Sequence, residues 1–317
     1  MREFTIAKND AGQRLDRFLL KAIPLLPAPL AQKYIRIKRI KVNGKKSDRA
    51  YKLQLDDVLQ LYINDEFFEK PRRENAYLLI TNPDLDIVYE DDNILLVDKK
   101  PGVLCHSGGD DTHDTLIDNI RAYLYQSGAW KPREELSFAP ALCNRIDRNT
   151  SGLVIAAKNA EALKILSAKI RNREIDKYYI CIVHGIPSPP SGTLSGYLFK
   201  DKTQNRSYMR KTNEAAAKTA VTEYRTLAVN DNLALLECKI ITGRSHQIRA
   251  GMADMGHPLL GDKKYGSKGT AEKHQALYSY RVKFSFTEDA GILNYLKGEE
   301  FIVKNTDFIK KYFNYRF

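Results

Sequence analysis

The chain has 317 residues, 43% of them hydrophobic, and carries 51 Lys and Arg against 39 Asp and Glu, a formal net charge of +12. That length suits two domains. No run approaches a membrane span or a signal-peptide core, so a soluble, cytoplasmic protein is expected. Cys105, Cys143, Cys181 and Cys238 and six scattered histidines show no paired spacing, which argues against a disulfide framework or a metal site, and the charge suggests a polyanionic partner.

Residues 12–23 place Leu15, Phe18, Leu19 and Ala22 at helical spacing and end before Pro24. A second short helix is predicted after Pro29, with Leu30 and Ile35 inward. Between positions 33 and 46 stand seven basic residues (Lys33, Arg36, Lys38, Arg39, Lys41, Lys45, Lys46) and no acid. Residues 40–45 read as a strand entering an Asn-Gly hairpin, and 56–63 as a turn and closing strand. One basic edge on such a unit suits RNA phosphates, with Lys33, Arg36, Arg39 and Lys41 as the contacts; a solvated surface on a small structural domain has the same charge pattern. Residues 64–83 read as a linker with one short strand at Leu78, Leu79 and Ile80. Two short strands flank an acidic turn over 87–98, Lys99-Lys100-Pro101-Gly102 follows, and 115–125 fits a helix.

The run 142–152, Leu-Cys-Asn-Arg-Ile-Asp-Arg-Asn-Thr-Ser-Gly, is polar yet leads straight into the apolar strand 153–157. Such a lead-in is expected to line a cleft at the end of a sheet. Asp147 lies between Arg145 and Arg148 and is the sole carboxylate from 137 to 159. Neighbouring cations favour a charged carboxylate, which can act as nucleophile or base. The plainer reading is a turn in which Asp147 or Asn149 caps a helix and the arginines face water.

Asn159 is predicted to cap a helix with Leu163, Leu166 and Ile170 inward and Lys164, Lys169, Arg171 and Arg173 outward. Residues 177–185 are apolar on both alternating sets, as in a strand covered on two faces. A strand at 194–199 precedes a basic loop over 200–218, and 221–227 pairs with 233–241. A helix starting near Ser245 is expected to bury Ile248, Met252 and Met255, with His246 and Arg249 sharing another side. A last strand covers 281–286, and no role is assigned to the aromatic, basic tail.

Asn144-Arg145-Ile146-Asp147-Arg148-Asn149-Thr150-Ser151-Gly152 resembles the catalytic signature of the RluA-type family of pseudouridine synthases, His-Arg-Leu-Asp, two variable residues, then Thr-Ser-Gly. Asn144 replaces the His. Lys177, Tyr179, Val183 and Gly185 fall in register with the family's Lys-x-Tyr-x-Ala-x-Val-x-Gly. Thr242-Gly243-Arg244-Ser245-His246-Gln247-Ile248-Arg249 resembles its Thr-Gly-Arg-x-His-Gln-[Ile/Leu]-Arg, continued by 257–262. Residues 13–62 resemble the ribosomal protein S-four-like RNA-binding domain, the alpha-L motif, through Gly12-Gln13-Arg14-Leu15-Asp16, Val42-Asn43-Gly44 and Asp56-Asp57.

The resemblance implies an α+β fold: a mixed, mainly antiparallel sheet flanked by helices, the pseudouridine synthase fold, with a small N-terminal alpha-L domain. It divides the chain at 1–75, 76–290 and 291–317. It makes Asp147 the essential catalytic aspartate, stacks Tyr179 on the target uracil and pairs Arg249 with Asp147. Arg145, Arg148, Arg244 and His246 are expected to contact RNA. The implied reaction isomerises uridine to pseudouridine, in large-subunit ribosomal RNA with transfer RNA as the alternative, by a monomer using no cofactor, nucleotide or metal. The rival readings are a non-catalytic rRNA-binding module of the same fold and a uracil-removing glycosidase, which needs a second acid.

Overall fold

The apolar spacing of the N-terminal residues becomes two helices laid on a small sheet in the computed structural model, which describes residues 1–68, 72–107, 114–132, 134–201, 203–213, 217–266, 272–303 and 307–315. The elements are β1 (Arg2–Thr5), α1 (Leu15–Ala22), α2 (Ala28–Arg36), β2 (Ile40–Val42), β3 (Lys45–Lys46) and β4 (Val58–Leu61), with sheet order β1-β4-β2-β3, antiparallel throughout. Leu15, Phe18 and Leu19 of α1 are fully buried beside Leu59 and Leu61 of β4. The hairpin turn is made by Asn43 (φ 50°) and Gly44 (φ 74°), the positive dihedrals that a two-residue turn of this twist requires. Asn43 also takes the Val58 N–H and donates to Asp57, which fastens the turn to β4.

No strand forms at Leu78, Leu79 and Ile80. Residues Asp65–Phe68 and Arg72–Leu79 are 3₁₀ turns instead, and Leu78 and Leu79 are 52% and 71% exposed, so their apolar side chains face solvent rather than a neighbouring strand.

The second sheet collects β5 (Ile87–Glu90), β6 (Ile94–Lys99), β7 (Ala141–Leu142), β8 (Ser151–Ala157), β9 (Ile175–His184), β10 (Ser191–Asp201), β11 (Arg206–Arg210), β12 (Lys218–Asn230), β13 (Leu233–Ile240), β14 (Leu277–Phe284) and β15 (Glu300–Ile302). Its order is β11-β10-β12-β13-β9-β14-β8-β6-β5, with β15 beside β14 and β7 beside β8. Among the described residues only β8 and β14 pair in parallel, so the sheet is mixed and mainly antiparallel, as expected. Helices α3 (Leu116–Gln126), α4 (Ala160–Arg171), α5 (Gln247–Asp254) and the short α6 (Asp307–Lys310) complete the α+β architecture. Thr115 and Asp118 form a capping box on α3, and the Asn159 side chain caps α4 through the Ala162 N–H.

Strand β9 shows why both of its alternating sets are apolar. Tyr179, Cys181 and Val183 enter the core on one face, while Tyr178, Ile180 and Ile182 meet Ile309 and Phe313 of the tail on the other. The tail therefore covers the back of the sheet. Cys181 and Cys238, 57 positions apart, bring their buried sulfurs within 3.8 Å as free thiols.

Three expectations need correction. The basic loop over 200–218 contains β11, which pairs with β10 and extends the sheet by one strand. Strand β14 begins at Leu277, because the two-sided burial of 277–280 lacks the alternation that marks a half-exposed strand. Lys169 is buried, not outward. It sits on the same helical stripe as Ala162 and Leu166, and its amine donates to Glu174 Oε2 at 2.8 Å and to the Glu288 carbonyl at 2.9 Å.

The two sheets are joined by a polar latch. Asp10, fully buried, accepts from the Leu136 and Ser137 N–H groups at 3.0 and 2.9 Å and from the Ser137 hydroxyl at 2.5 Å. Asn9 donates to Glu135, and Gln13 donates to the Ser137 hydroxyl. The latch holds the segment that leads directly into β7 and the Asp147 loop.

Candidate active site

The loop bearing Asp147 runs from β7 to β8 and is fixed by its neighbours in the motif. The Asn144 side chain accepts from the Ile155 N–H at 2.8 Å and donates to the Leu153 carbonyl at 3.5 Å, so this residue bonds the loop to the edge of β8. Gly152 has φ 115°, and a Cβ there would lie 2.3 Å from the Ser279 carbonyl oxygen. Only glycine lets β14 approach β8 this closely, which explains its place in the signature.

Asp147 is partly exposed, with its side chain 24% accessible, and Oδ2 accepts from Arg249 Nη1 at 2.9 Å. Arg249 is itself buried and held from behind by Asp262, through Nε–Oδ2 at 2.6 Å and Nη2–Oδ1 at 2.9 Å. Asp262 is 1% exposed. Burial disfavours the arginine's charge, but the bonds to Asp262 and then Asp147 outweigh it, and the pKa of Arg249 is raised. The arginine thus reaches Asp147 as a pre-oriented cation.

Helix α5, which carries Arg249, begins at Gln247 rather than Ser245. The buried Gln247 amide accepts from Thr242 Oγ1 and the Arg244 N–H, and donates to the Val221 carbonyl and to Thr222 Oγ1. Those four bonds tie the Thr-Gly-Arg turn to β12 and set where the helix starts. Immediately before it, His246 places Nε2 3.8 Å from Asp147 Oδ2 and Nδ1 2.9 Å from the Tyr265 hydroxyl.

Lys99 lies beneath the same loop, 1% exposed, and donates to the carbonyls of Lys100, Val103 and Arg148, each at 2.9 Å. Burial pushes its amine down to about 8, opposed by Cys105 and Asp147. It clamps the strand-end turn to the residue that follows Asp147.

These groups open into a cleft of about 670 Å³. Asp147, Tyr179 and Arg249 line it together with Arg145, Arg244 and His246, so six of the residues singled out in the sequence meet in one place. Tyr179 is 6% exposed, and burial foremost raises its pKa. Arg148 does not line the cleft; it is exposed and donates to the Gly102 carbonyl at 2.9 Å. Lys33 and Arg36 line a separate shallow depression on the N-terminal unit, with Lys46 and Arg49, while the Arg39 guanidinium and the Lys41 amine sit over the rings of Tyr34 and Tyr62.

The sequence reading missed five members of the site. Arg171, Arg173 and Lys177 line the cleft, although the first two had been placed on a solvated helix face and the third used only as motif register. Asp262, in the 257–262 motif segment, and Tyr265 carry no assigned role until the structure sets them against Arg249 and His246. Among the described residues no group of three His, Cys, Asp or Glu side chains is arranged to hold a metal ion, and no helix is long and apolar enough to cross a membrane.

Comparison with known proteins identifies the family. Residues 93–254, half of the chain, match the family described as RNA pseudouridylate synthase. An uncharacterised RNA pseudouridine synthase of Mycoplasma capricolum is 32% identical over 98% of this chain and 100% of its own length. The ribosomal large subunit pseudouridine synthase D of Borreliella burgdorferi is 30% identical over 89% of this chain and 84% of its own. Among solved structures, human RNA pseudouridylate synthase domain containing 4 superposes with a TM-score of 0.56 at 19% identity, covering 73% of this chain and 93% of that one, which supports the shared fold.

Proposed function

The chain belongs to the RNA pseudouridylate synthase family, and from that membership we propose that it converts uridines of large-subunit ribosomal RNA to pseudouridine, with Asp147 acting on a uridine flipped into the cleft. The observation that carries the reading is the ion pair of Asp147 with a buried, doubly anchored Arg249 at the wall of a cleft in which the other charged side chains are arginines and a lysine. The reaction breaks the N1–C1′ bond, turns the base, joins C5 to C1′, releases the C5 proton to solvent and places a proton on N1. It needs a carboxylate fixed in place and a site that shields the detached base.

Arg249 supplies that fixation by charge and by direction. Tyr179, on the cleft wall beside Asp147, offers a ring on which the uracil stacks, an interaction of roughly 1–3 kcal/mol per base. Arg145, Arg171, Arg173 and Arg244 meet the phosphates that flank the extruded nucleotide, and extrusion is least costly from a loop or bulge. The N-terminal unit acts as an S-four-like grip, with Lys33, Arg36, Arg39 and Lys41 on the duplex backbone. The name of the Borreliella relative supports ribosomal RNA over transfer RNA as the substrate.

Hydrolysis of the glycosidic bond is disfavoured because it needs a second acid to activate water. Among the described residues Asp147 is the only carboxylate lining the cleft, and Asp262 is committed to Arg249. The test is Asp147→Asn, nearly isosteric, assayed by release of tritium from uridine C5 in ribosomal RNA from cells lacking the enzyme. No release is expected, with RNA binding within a few-fold of wild type. Wild-type release by the folded variant overturns the assignment.

A further inference from the structure

His246 stands at φ 56° and ψ 24°, a left-handed conformation that residues other than glycine adopt sparingly. No cap bond from its side chain to α5 accounts for this. The imidazole is instead bonded through Nδ1, 2.9 Å from the Tyr265 hydroxyl, and turns Nε2 toward Asp147 Oδ2 at 3.8 Å.

The Tyr265 hydroxyl, which accepts the Ser207 N–H at 2.8 Å, can also donate its own hydrogen to Nδ1. With Nε2 turned toward the Asp147 carboxylate, a hydrogen on that nitrogen is favoured over a lone pair set against the anion, so the neutral tautomer suited to this site carries Nε2–H and accepts at Nδ1. The Tyr265 ring is held in turn, 6% exposed, with the Arg249 and Arg206 guanidiniums 5.2 and 5.0 Å from its centroid. Burial foremost lowers the pKa of His246, with Arg249 and Lys264 adding to it against Asp147 and Asp262, so the neutral form is the favoured one.

Both cleft-side donors converge on one oxygen. Arg249 Nη1 is 2.9 Å from Oδ2, and the His246 nitrogen faces that same atom. Among the described residues no side chain bonds Oδ1. At 3.8 Å the histidine is beyond hydrogen-bond reach, but contacts of this kind tighten when substrate fills a site.

We propose that His246 is a positioning residue for Asp147: fixed by Tyr265 with Nε2–H toward Oδ2, it closes on that oxygen in the RNA complex and leaves Oδ1 to meet the nucleoside. This rests on Asp147 being the reacting carboxylate. It also gives His246 a task other than a phosphate contact, and the two tasks separate experimentally.

The experiment is single-turnover tritium release from C5-labelled total RNA of cells lacking the enzyme, with enzyme in excess, so that the maximal rate and the half-saturating concentration are read independently. His246→Ala is expected to lower the maximal rate about tenfold to a hundredfold with half-saturation and its salt dependence unchanged. His246→Gln, which keeps an N–H near the Nε2 position, recovers part of the rate. Tyr265→Phe causes a smaller loss and adds nothing in the His246→Ala background. A normal rate with weakened, less salt-dependent half-saturation makes His246 a phosphate contact and overturns the proposal. So does a folded His246→Gln no faster than Ala, or a Tyr265→Phe loss that simply adds. Asp147→Asn runs alongside: if it is inactive while the His246 variants are normal, only this inference fails, and if it is active the reading beneath it fails.

Discussion

Asp262 makes a sharp test of how the site is held, because its carboxylate is nearly inaccessible and does not line the cleft. Asp262→Ala removes both bonds to Arg249, at 2.6 and 2.9 Å, and leaves a buried guanidinium with Asp147 as its remaining carboxylate. Breaking a buried ion pair from one side costs about 3–5 kcal/mol. The surviving bond to Asp147 places this case near the lower end, about 3 kcal/mol, which for a domain of this size lowers Tm by roughly 6–12 °C. Activity falls further than stability alone explains, because Arg249 becomes free to turn and Asp147 loses its fixed orientation. We expect a single-turnover rate about a hundredfold below wild type when measured well under both melting transitions. Asp262→Asn, which keeps one acceptor, falls between. The assays are calorimetry and tritium release on the same preparations. A variant that melts within 1 °C of wild type and keeps its rate would falsify the claim that Asp262 anchors the arginine.

Two further outcomes follow from buried polar groups. Asp10→Ala removes three hydrogen bonds and leaves the Leu136 and Ser137 N–H groups without their acceptor, so the latch weakens by about 2–3 kcal/mol; hydrogen exchange at those two amides should accelerate and RNA affinity fall, and unchanged protection would show that the latch does not join the units. Lys99, pushed by burial from its ordinary 10.5 down to about 8, loses its proton in the folded state before the unfolded chain does. The unfolded state then binds more protons between roughly pH 8 and 10.5, so stability rises with pH across that window, by at most about 3 kcal/mol, relative to Lys99→Met. Urea midpoints of the two proteins at pH 7.5 and pH 10 check the sign, and a pH-independent difference would sink it.

How much was legible in the sequence depended on whether a residue's task left a local pattern. The cap at Asn159, the Asn43-Gly44 turn and the two-sided strand β9 each follow from neighbours in the chain, and each appears in the structure. Asp147, Tyr179 and Arg249 were readable through motif resemblance, although the elements that carry them meet only by tertiary packing. Lys169 was misplaced because its charge suggested solvent, while its stripe with Ala162 and Leu166 pointed inward; the partner that resolves the conflict, Glu174, lies past the end of the helix. Asp262, although inside the 257–262 motif segment, and Tyr265 lacked a role for a different reason. Their partners Arg249, His246 and Ser207 lie 13, 19 and 58 positions away, and no periodicity reaches across intervening loops that far.

The charge around Asp147 shows why that hidden carboxylate matters. Arg145, Arg171, Arg173, Lys177, Arg244 and Arg249 all line the cleft, and a site this positive attracts a polyanion. The same attraction threatens the acid, since a phosphate entering the cleft competes for any arginine that Asp147 relies on. Asp262 resolves the competition by holding Nε and Nη2 of Arg249 out of solvent, so only Nη1 reaches the cleft wall, and it reaches Asp147. Among the described residues, none of the other five cations makes an ion pair with a carboxylate, although Lys177 and Arg244 donate to the Ile175 and Thr219 carbonyls. The cleft therefore separates its cations by their carboxylate partners: Arg249 is fastened from behind by Asp262 and serves Asp147, and the rest keep a positive charge that no described carboxylate pairs, as the proposed contact with RNA phosphates requires.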